Sequence, residues 1–464
     1  MADDRDHILE SSVPTTLLSS VNQYPDVAIP RARPQETLGQ RRFFEFDFFN
    51  KINVHALLHL AAAARGGTAL CYFGQRNLGA FNVIIAICFE DGVEWIAKMP
   101  ISTTTNEDNQ YLKSEYATLL FLQDLKGAVP APRPHGYCFN RQNPANTPYI
   151  FMDKISGMPL SDAISNGHMN REAVHRMLSD LAARKKALSM HPFMEIGSLT
   201  LFIDESAKCT HFGVGRQYTM SSRQSDHSRY PSDFGPYQSS LHYYSTLLHN
   251  SWNEWMEYQY EEEVKPLAER LRLQAYLTSI IASYAKPAQE FHLTHTDLHP
   301  GNIFVDDQGN ITAIIDWEFA STLPSQGSEN YPSLLANDLE FIVQNSHVYP
   351  DAAAEISHWK EFYAKQWESD VEMQEYFANI EKIIDFEDLL RNAEAANIQN
   401  VVERVKLVDS SSTLENIEIP FPWTAPTVIH TPYRVVQGWT GNRRRRKGIK
   451  EVITRVYHRL FPRG

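Results

Sequence analysis

The chain has 464 residues, of which 43 are Lys or Arg and 56 are Asp or Glu, giving a formal net charge of −13 that argues against a protein coating nucleic acid. A hydrophobic share of 43% is enough to build a sizeable core, which excludes disorder of the whole chain. Four cysteines without a CxxC pair suggest neither a disulfide framework nor a thiolate zinc site. The acidic start MADDRDHILESS lacks the plan of a signal peptide, and no apolar run is long enough to span a bilayer, so a cytoplasmic protein is expected.

Residues up to about Gln40, with Pro14, Pro25, Pro30 and Pro34 and no sustained period, read as an arm. Phe46 to Arg65 is predicted to be a helix through Leu57, Leu58, Leu60 and Ala61 to Ala64, ended by Gly66-Gly67. An antiparallel meander follows: Ala69 to Phe73, Asn82 to Phe89 and, after the Asp91-Gly92 turn, Val93 to Met99. Asn109 to Gln123 has a helical period, and Tyr149 to Asp153 is a short apolar strand ahead of the Ser156-Gly157 turn. Helices are then expected over Arg171 to Met190, Gln238 to Glu263, Val264 to Ala285 and Trp359 to Ala396, with strand-like pieces at Ile303 to Val305 and Ile311 to Ile315. A small strand-rich lobe thus precedes a larger helical one, with the boundary near Asp153-Lys154, and the cleft between them is the expected ligand site.

From Gly441 to Gly464, nine Lys or Arg stand against the single acid Glu451, beside an apolar stripe of Ile449, Val452, Ile453, Val456, Tyr457, Leu460 and Phe461. Such a basic amphipathic helix either packs back on its own domain or makes a peripheral contact with a membrane or another protein. It can also be read as a nuclear signal.

The most informative stretch is FHLTHTDLHPGNIFVDDQGNITAIIDWEFAS, Phe291 to Ser321. Here an HxDxxxxN loop (His295, Asp297, Asn302) leads through a strand, a Gly309-Asn310 turn and a second strand to Asp316. Phosphoryl transfer needs a carboxylate to orient the attacking hydroxyl and take its proton, and oxygen ligands for a magnesium ion on the nucleotide phosphates. Asp297 suits the first task, and Asn302 and Asp316 suit the second. His295 is better suited to holding the loop than to moving the proton.

HTDLHPGN and IIDWE resemble the aminoglycoside phosphotransferase and choline kinase group, and especially its fungal-type branch, over about Ile52 to Leu339. The resemblance implies an α+β, two-lobed protein-kinase-like fold, with Asp297 as catalytic base and Asn302 and Asp316 as magnesium ligands. His299 stands where kinases acting on Ser or Thr usually have a lysine, which favours the small-molecule branch. In VEWIAKMP, Lys98 is expected to grip the nucleotide's α- and β-phosphates, held by Glu115 of the following helix. The hairpin GQRNLGAFNVII carries no GxGxxG. Its Gly79 and Asn82 fit the GxFN-like turn of the resembling family, where a glycine lets backbone N–H groups approach phosphate. The backbone of Tyr149 to Lys154 should meet adenine.

The expected organisation is an arm over 1–45, a nucleotide-binding small lobe over 46–153, a helical catalytic and substrate lobe over 154–410 and a C-terminal extension over 411–464. The expected activity is ATP- and Mg2+-dependent phosphorylation of a hydroxyl on a small molecule, with ATP and that substrate as partners and no specific nucleic acid. Tyr243, Tyr244, Trp252, Trp255, Tyr258 and Tyr260, near Glu254, Glu257 and Glu261 to Glu263, hint at a cationic amino-alcohol or aminoglycoside-like acceptor. Helical spacing makes a core stripe the stronger reading of those aromatics. Two alternatives remain: a nucleotide-binding scaffold with turnover lost, and a protein kinase. The missing APE-like segment after Asp316 disfavours the second.

Overall fold

The structure is a computed structural model that describes residues 51–390 other than 68, 80, 102–107, 205–208, 220–232, 259–272, 280, 283–284, 286–289, 325–334, 336–338, 345–348, 350, 371–372 and 374–389. The N-terminal arm and the basic C-terminal helix expected from the sequence lie outside the described residues.

The described small lobe includes α1, Val54–Ala64, capped by the Asn53 side chain, which accepts from Ala56 N; residues 46–50 of the expected helix lie outside the described residues. Gly66 and Gly67, at φ +103° and +91°, end it. Its buried Leu57, Leu58 and Ala61 pack in one core with Val83, Ile85 and Ile87. Strands β1 (Cys71–Leu78), β2 (Asn82–Phe89) and β3 (Glu94–Pro100) form the expected meander. β1 is longer than predicted, since its polar end GQRNL lies on an exposed sheet edge and gives no apolar alternation.

Helix α2, Gln110–Asp124, is capped by Asn109, whose side chain accepts from Leu112 N. β4 (Pro134–Cys138) and β5 (Tyr149–Asp153) complete a five-stranded antiparallel sheet in the order β1-β2-β3-β5-β4. β4 is missed by the sequence because PHGYC carries a proline, a glycine and little period. Lys98 sits on central β3, opposite Ile84 of β2 and Ile150 of β5.

The larger lobe opens with β6 (Met158–Pro159), the short α3 (Leu160–Ser165) and α4 (Arg171–Ser189). A hairpin of β7 (Ser198–Asp204) and β8 (Cys209–Gly215) precedes α5 (Ser240–Tyr258). β9 (Phe291–Thr294), β10 (Ile303–Val305), β11 (Ile311–Ile314) and β12 (Ser321–Pro324) follow. Then come α6 (Leu339–Gln344) and α7 (Ala352–Lys365). α7 runs from its Asp351 cap to Lys365, so the helix expected from Trp359 begins earlier, at Ala352, and breaks after Lys365; most of 371–396 lies outside the described residues. β10 pairs with both β11 and β6, while β9 pairs with β12, which places the loop after β9 next to the segment before β12. The fold is α+β and two-lobed, of the protein-kinase-like kind.

The β10–β11 turn depends on Gly309, at φ +84°. Asp306 folds the turn by accepting from Gln308 N at 2.9 Å, Asn310 N at 2.8 Å and Asn310 Nδ2 at 2.7 Å. A Cβ on Gly309 would lie 2.6 Å from the Ala173 carbonyl oxygen in α4. Gly309→Ala is therefore expected to cost about 2–4 kcal/mol, combining left-handed strain with overpacking, read as a lower urea midpoint at unchanged slope.

Candidate active site

Two pieces of the large lobe are laced together. Ile315 N donates to the Asn302 carbonyl at 2.9 Å, and Thr296 Oγ1 donates to the Phe319 carbonyl at 2.8 Å. Buried His295 joins both pieces. Its Nε2 donates to the Ile315 carbonyl at 2.8 Å, which leaves Nδ1 to accept from Asp297 N at 3.3 Å. Burial lowers the His295 pKa, keeping the ring neutral as that double role requires. The Asn302 side chain closes the loop, with Nδ2 donating to the Asp297 carbonyl at 2.9 Å. His299 caps the short 3-10 turn Pro300–Asn302 by accepting from Gly301 N at 3.1 Å.

Asp316 follows β11 in a left-handed conformation, φ +63°, uncommon outside glycine and frequent at functional positions. The turn is fixed behind it by fully buried Trp317, whose Nε1 donates to the Ile314 carbonyl at 2.8 Å. Asp316 keeps 45% of its side chain exposed while reaching Lys98 Nζ at 2.8 Å.

Lys98 is the junction between the lobes. Only 4% exposed, it meets Glu115 at 2.7 Å, Asp316 at 2.8 Å and Glu318 at 3.3 Å. Burial works against its charge, but the three carboxylates outweigh burial and raise its pKa above the ordinary value. Burial, opposed by Lys98 and reinforced by the other two carboxylates, pushes Glu115 up to about 7. Lys98 holds the Asp316 carboxyl below the usual range, so Asp316 is ionised at neutral pH.

Gly79 and Asn82 form the β1–β2 turn, where Gly79 N donates to the Asn82 carbonyl at 2.9 Å. The Asn82 amide is turned towards the other lobe: Nδ2 donates to Glu318 Oε2 at 2.6 Å, which commits its donor to a carboxylate. Glu318 is the site residue to which the sequence reading gave no role. Its signal is a charge inside the apolar run WEFA, since a buried carboxylate requires a paired cation or donor. On α5, Tyr243, Tyr244 and Trp252 are buried, the first two in one core cluster with Leu248 and Leu277, which accounts for them as packing. The side chains of 253–258 and the residues 259–263 lie outside the description.

A curated relative, "Clavilactone A biosynthesis cluster protein Y" of Ampulloclitocybe clavipes, is 50% identical over 46 residues, which are 10% of this chain and 11% of that protein. The chain therefore matches about a tenth of that relative's length. Among solved structures, the GDP and kanamycin complex of APH(2")-IIIa is similar at 16% identity and TM-score 0.37, covering 77% of this chain and 98% of that one. The amicoumacin kinase hAmiN, in complex with AMP-PNP, Ca2+ and Ami, is similar at 14% identity and TM-score 0.40, covering 81% and 98%. A sequence model of APH, the phosphotransferase enzyme family, matches residues 90–324. That span runs from the β2–β3 turn to the end of β12. It takes in Lys98, Glu115, the His295 to Asn302 loop and Asp316, leaving Gly79 and Asn82 just upstream. With just over half of its length inside the match, the chain belongs to the phosphotransferase enzyme family.

Proposed function

We propose that this protein is an ATP- and magnesium-dependent O-phosphotransferase acting on a hydroxyl group of a small molecule. The observation that carries this reading is the 2.8 Å contact of Lys98, buried in the small lobe, with Asp316 of the large lobe, beside a loop in which Asn302 braces the backbone of Asp297. On this reading Lys98 serves the phosphates, Asp316 the metal and Asp297 the acceptor hydroxyl, with the lobe junction as the site.

Among the described residues no group of three or more His, Cys, Asp or Glu side chains is arranged to hold a metal by itself. The donors that are present fit magnesium: ionised Asp316 and the amide oxygen of Asn302, whose nitrogen is spent on Asp297, are hard ligands. Magnesium commonly takes one or two protein oxygens and completes its shell with phosphate and water. Bound there, it neutralises charge on the phosphate oxygens. Lys98 binds phosphate through its ammonium group, which Glu115 keeps aimed into the cleft. Asp297 orients the acceptor hydroxyl and accepts its proton as the oxygen attacks the γ-phosphorus, while the bond from that phosphorus to the bridging oxygen breaks and ADP leaves. His295 keeps the Asp297 backbone in register and stays neutral throughout. Gly79 lets the β1–β2 turn approach phosphate, whereas the backbone of Tyr149 to Lys154, expected from the sequence to meet adenine, is engaged with β3 on one side and β4 on the other, which leaves adenine to the chain that follows.

The test is product formation from ATP with a panel of sugars, amino-alcohols and neutral alcohols, followed by mass spectrometry. A phosphate ester that requires magnesium and disappears in Asp316→Ala is expected. Nucleotide binding with no ester depending on Asp316 would favour the scaffold reading instead.

A further inference from the structure

Three carboxylates face one lysine at the lobe junction, and only two are needed for the proposed chemistry. Glu115 aims Lys98, and Asp316 serves the metal. Glu318 is 3% exposed, and its Oε2 both accepts from Asn82 Nδ2 at 2.6 Å and meets Lys98 Nζ at 3.3 Å, so it is ill placed to act as a further metal ligand in this arrangement. We propose that Glu318 is a positioning residue that latches the phosphate-side turn of the small lobe to the Asp316 segment of the large lobe, accepting the Asn82 amide while sharing Lys98 with Asp316.

Two independent contacts support the latch. The polar one joins Asn82 to Glu318 across 236 positions of sequence. The apolar one joins their neighbours, with the Phe81 ring edge-on to Phe319 at 5.9 Å and 88°, and Tyr111 of α2 also edge-on to Phe319 at 6.3 Å. Adjacent residues of the turn thus engage adjacent residues of the segment after Asp316, which fixes both position and tilt. Two further bonds of the turn stay within its own lobe, Gly79 N to the Asn82 carbonyl at 2.9 Å and Ile101 N to the Phe81 carbonyl at 2.8 Å. Those bonds shape the turn without setting its height above Asp316. A carboxylate is the suitable acceptor here, because it accepts from an amide and an ammonium at once and charge-assisted bonds are the stronger ones. One Asn82 N–H is engaged in this way, and the proposed contribution of the side chain to phosphate binding is to hold the backbone of the turn in place.

The effect of the latch on nucleotide rests on the proposed function, but the latch itself does not. Both are tested together by hydrogen exchange of the 79–89 amides in the nucleotide-free full chain, and by equilibrium binding of a fluorescent ATP analogue with magnesium. Asn82→Ala and Glu318→Ala are each expected to speed exchange at the turn and weaken the analogue by about 10- to 100-fold, the loss of one hydrogen bond to a charged group. Glu318→Gln, which keeps an acceptor for Asn82, is expected to restore most of both. The double variant should lose little more than either single variant. Unchanged exchange at the turn in Asn82→Ala, which leaves Glu318 beside Lys98, would overturn the latch even if Glu318→Ala fails to fold. Faster exchange without any binding of the analogue by the natural protein would support the latch and sink the nucleotide reading.

Discussion

Replacing Asp297 with asparagine is expected to lower kcat by about 100- to 10,000-fold while changing the affinity for nucleotide little. The asymmetry follows from where the residue is held. Its backbone is fixed on both sides, by His295 Nδ1 at 3.3 Å and Asn302 Nδ2 at 2.9 Å, so an isosteric amide should sit where the carboxylate sat. What is lost is the acceptor for the hydroxyl proton, which matters only as the new bond to phosphorus forms. Steady-state kinetics on the acceptor found by the panel, together with nucleotide binding, measures both halves of the prediction. An equal loss of kcat and nucleotide affinity would mean that Asp297 acts through the shape of the loop.

Lys98→Met is expected to remove nucleotide binding and to cost about 3–5 kcal/mol of stability, the usual penalty for leaving buried charge unpaired. Glu115 and Glu318, both nearly inaccessible, lose their common cation, and Asp316 loses its strongest partner. The pH dependence carries the diagnosis. Without Lys98, which opposes the effect of burial, Glu115 binds its proton still more tightly in the folded than in the unfolded state. Stability of the variant should therefore fall as pH rises above the ordinary glutamate range, and the gap to the natural protein should be wider at pH 8 than at pH 5.5. Urea unfolding at the two pH values reads this directly. Adding Glu115→Gln to Lys98→Met should recover part of the loss at pH 8.

The elements legible in the sequence are those whose signals are local. The β2–β3 hairpin announces itself through two apolar runs and Asp91-Gly92. α2 carries a period and an asparagine cap, and the Asp306 to Asn310 turn is spelled by its own side-chain bonds. Several of the elements that escaped are short and find their partners far away, whereas β7 and β8, seven residues each, escaped although they pair as a local hairpin. β9 and β12 are four residues each and pair with one another across the His295 to Asn302 loop, and β6 is two residues that exist as a strand only because β10 lies alongside. No window of sequence contains both halves of such a pair.

The same division runs through the site. The type and spacing of His295, Asp297, Asn302 and Asp316 are chain-local, carried by one loop and one hairpin, so the sequence alone is enough to propose them. The destination of Lys98 is a different matter. Its contacts with Asp316 and Glu318, and the bond from Asn82 to Glu318, link residues more than 200 positions apart. A lysine on a strand and an acid after a tryptophan read as ordinary surface charges until the lobes meet and remove water from both. Burial is what turns these scattered charges into one network, and burial is a property of packed lobes that no local pattern encodes.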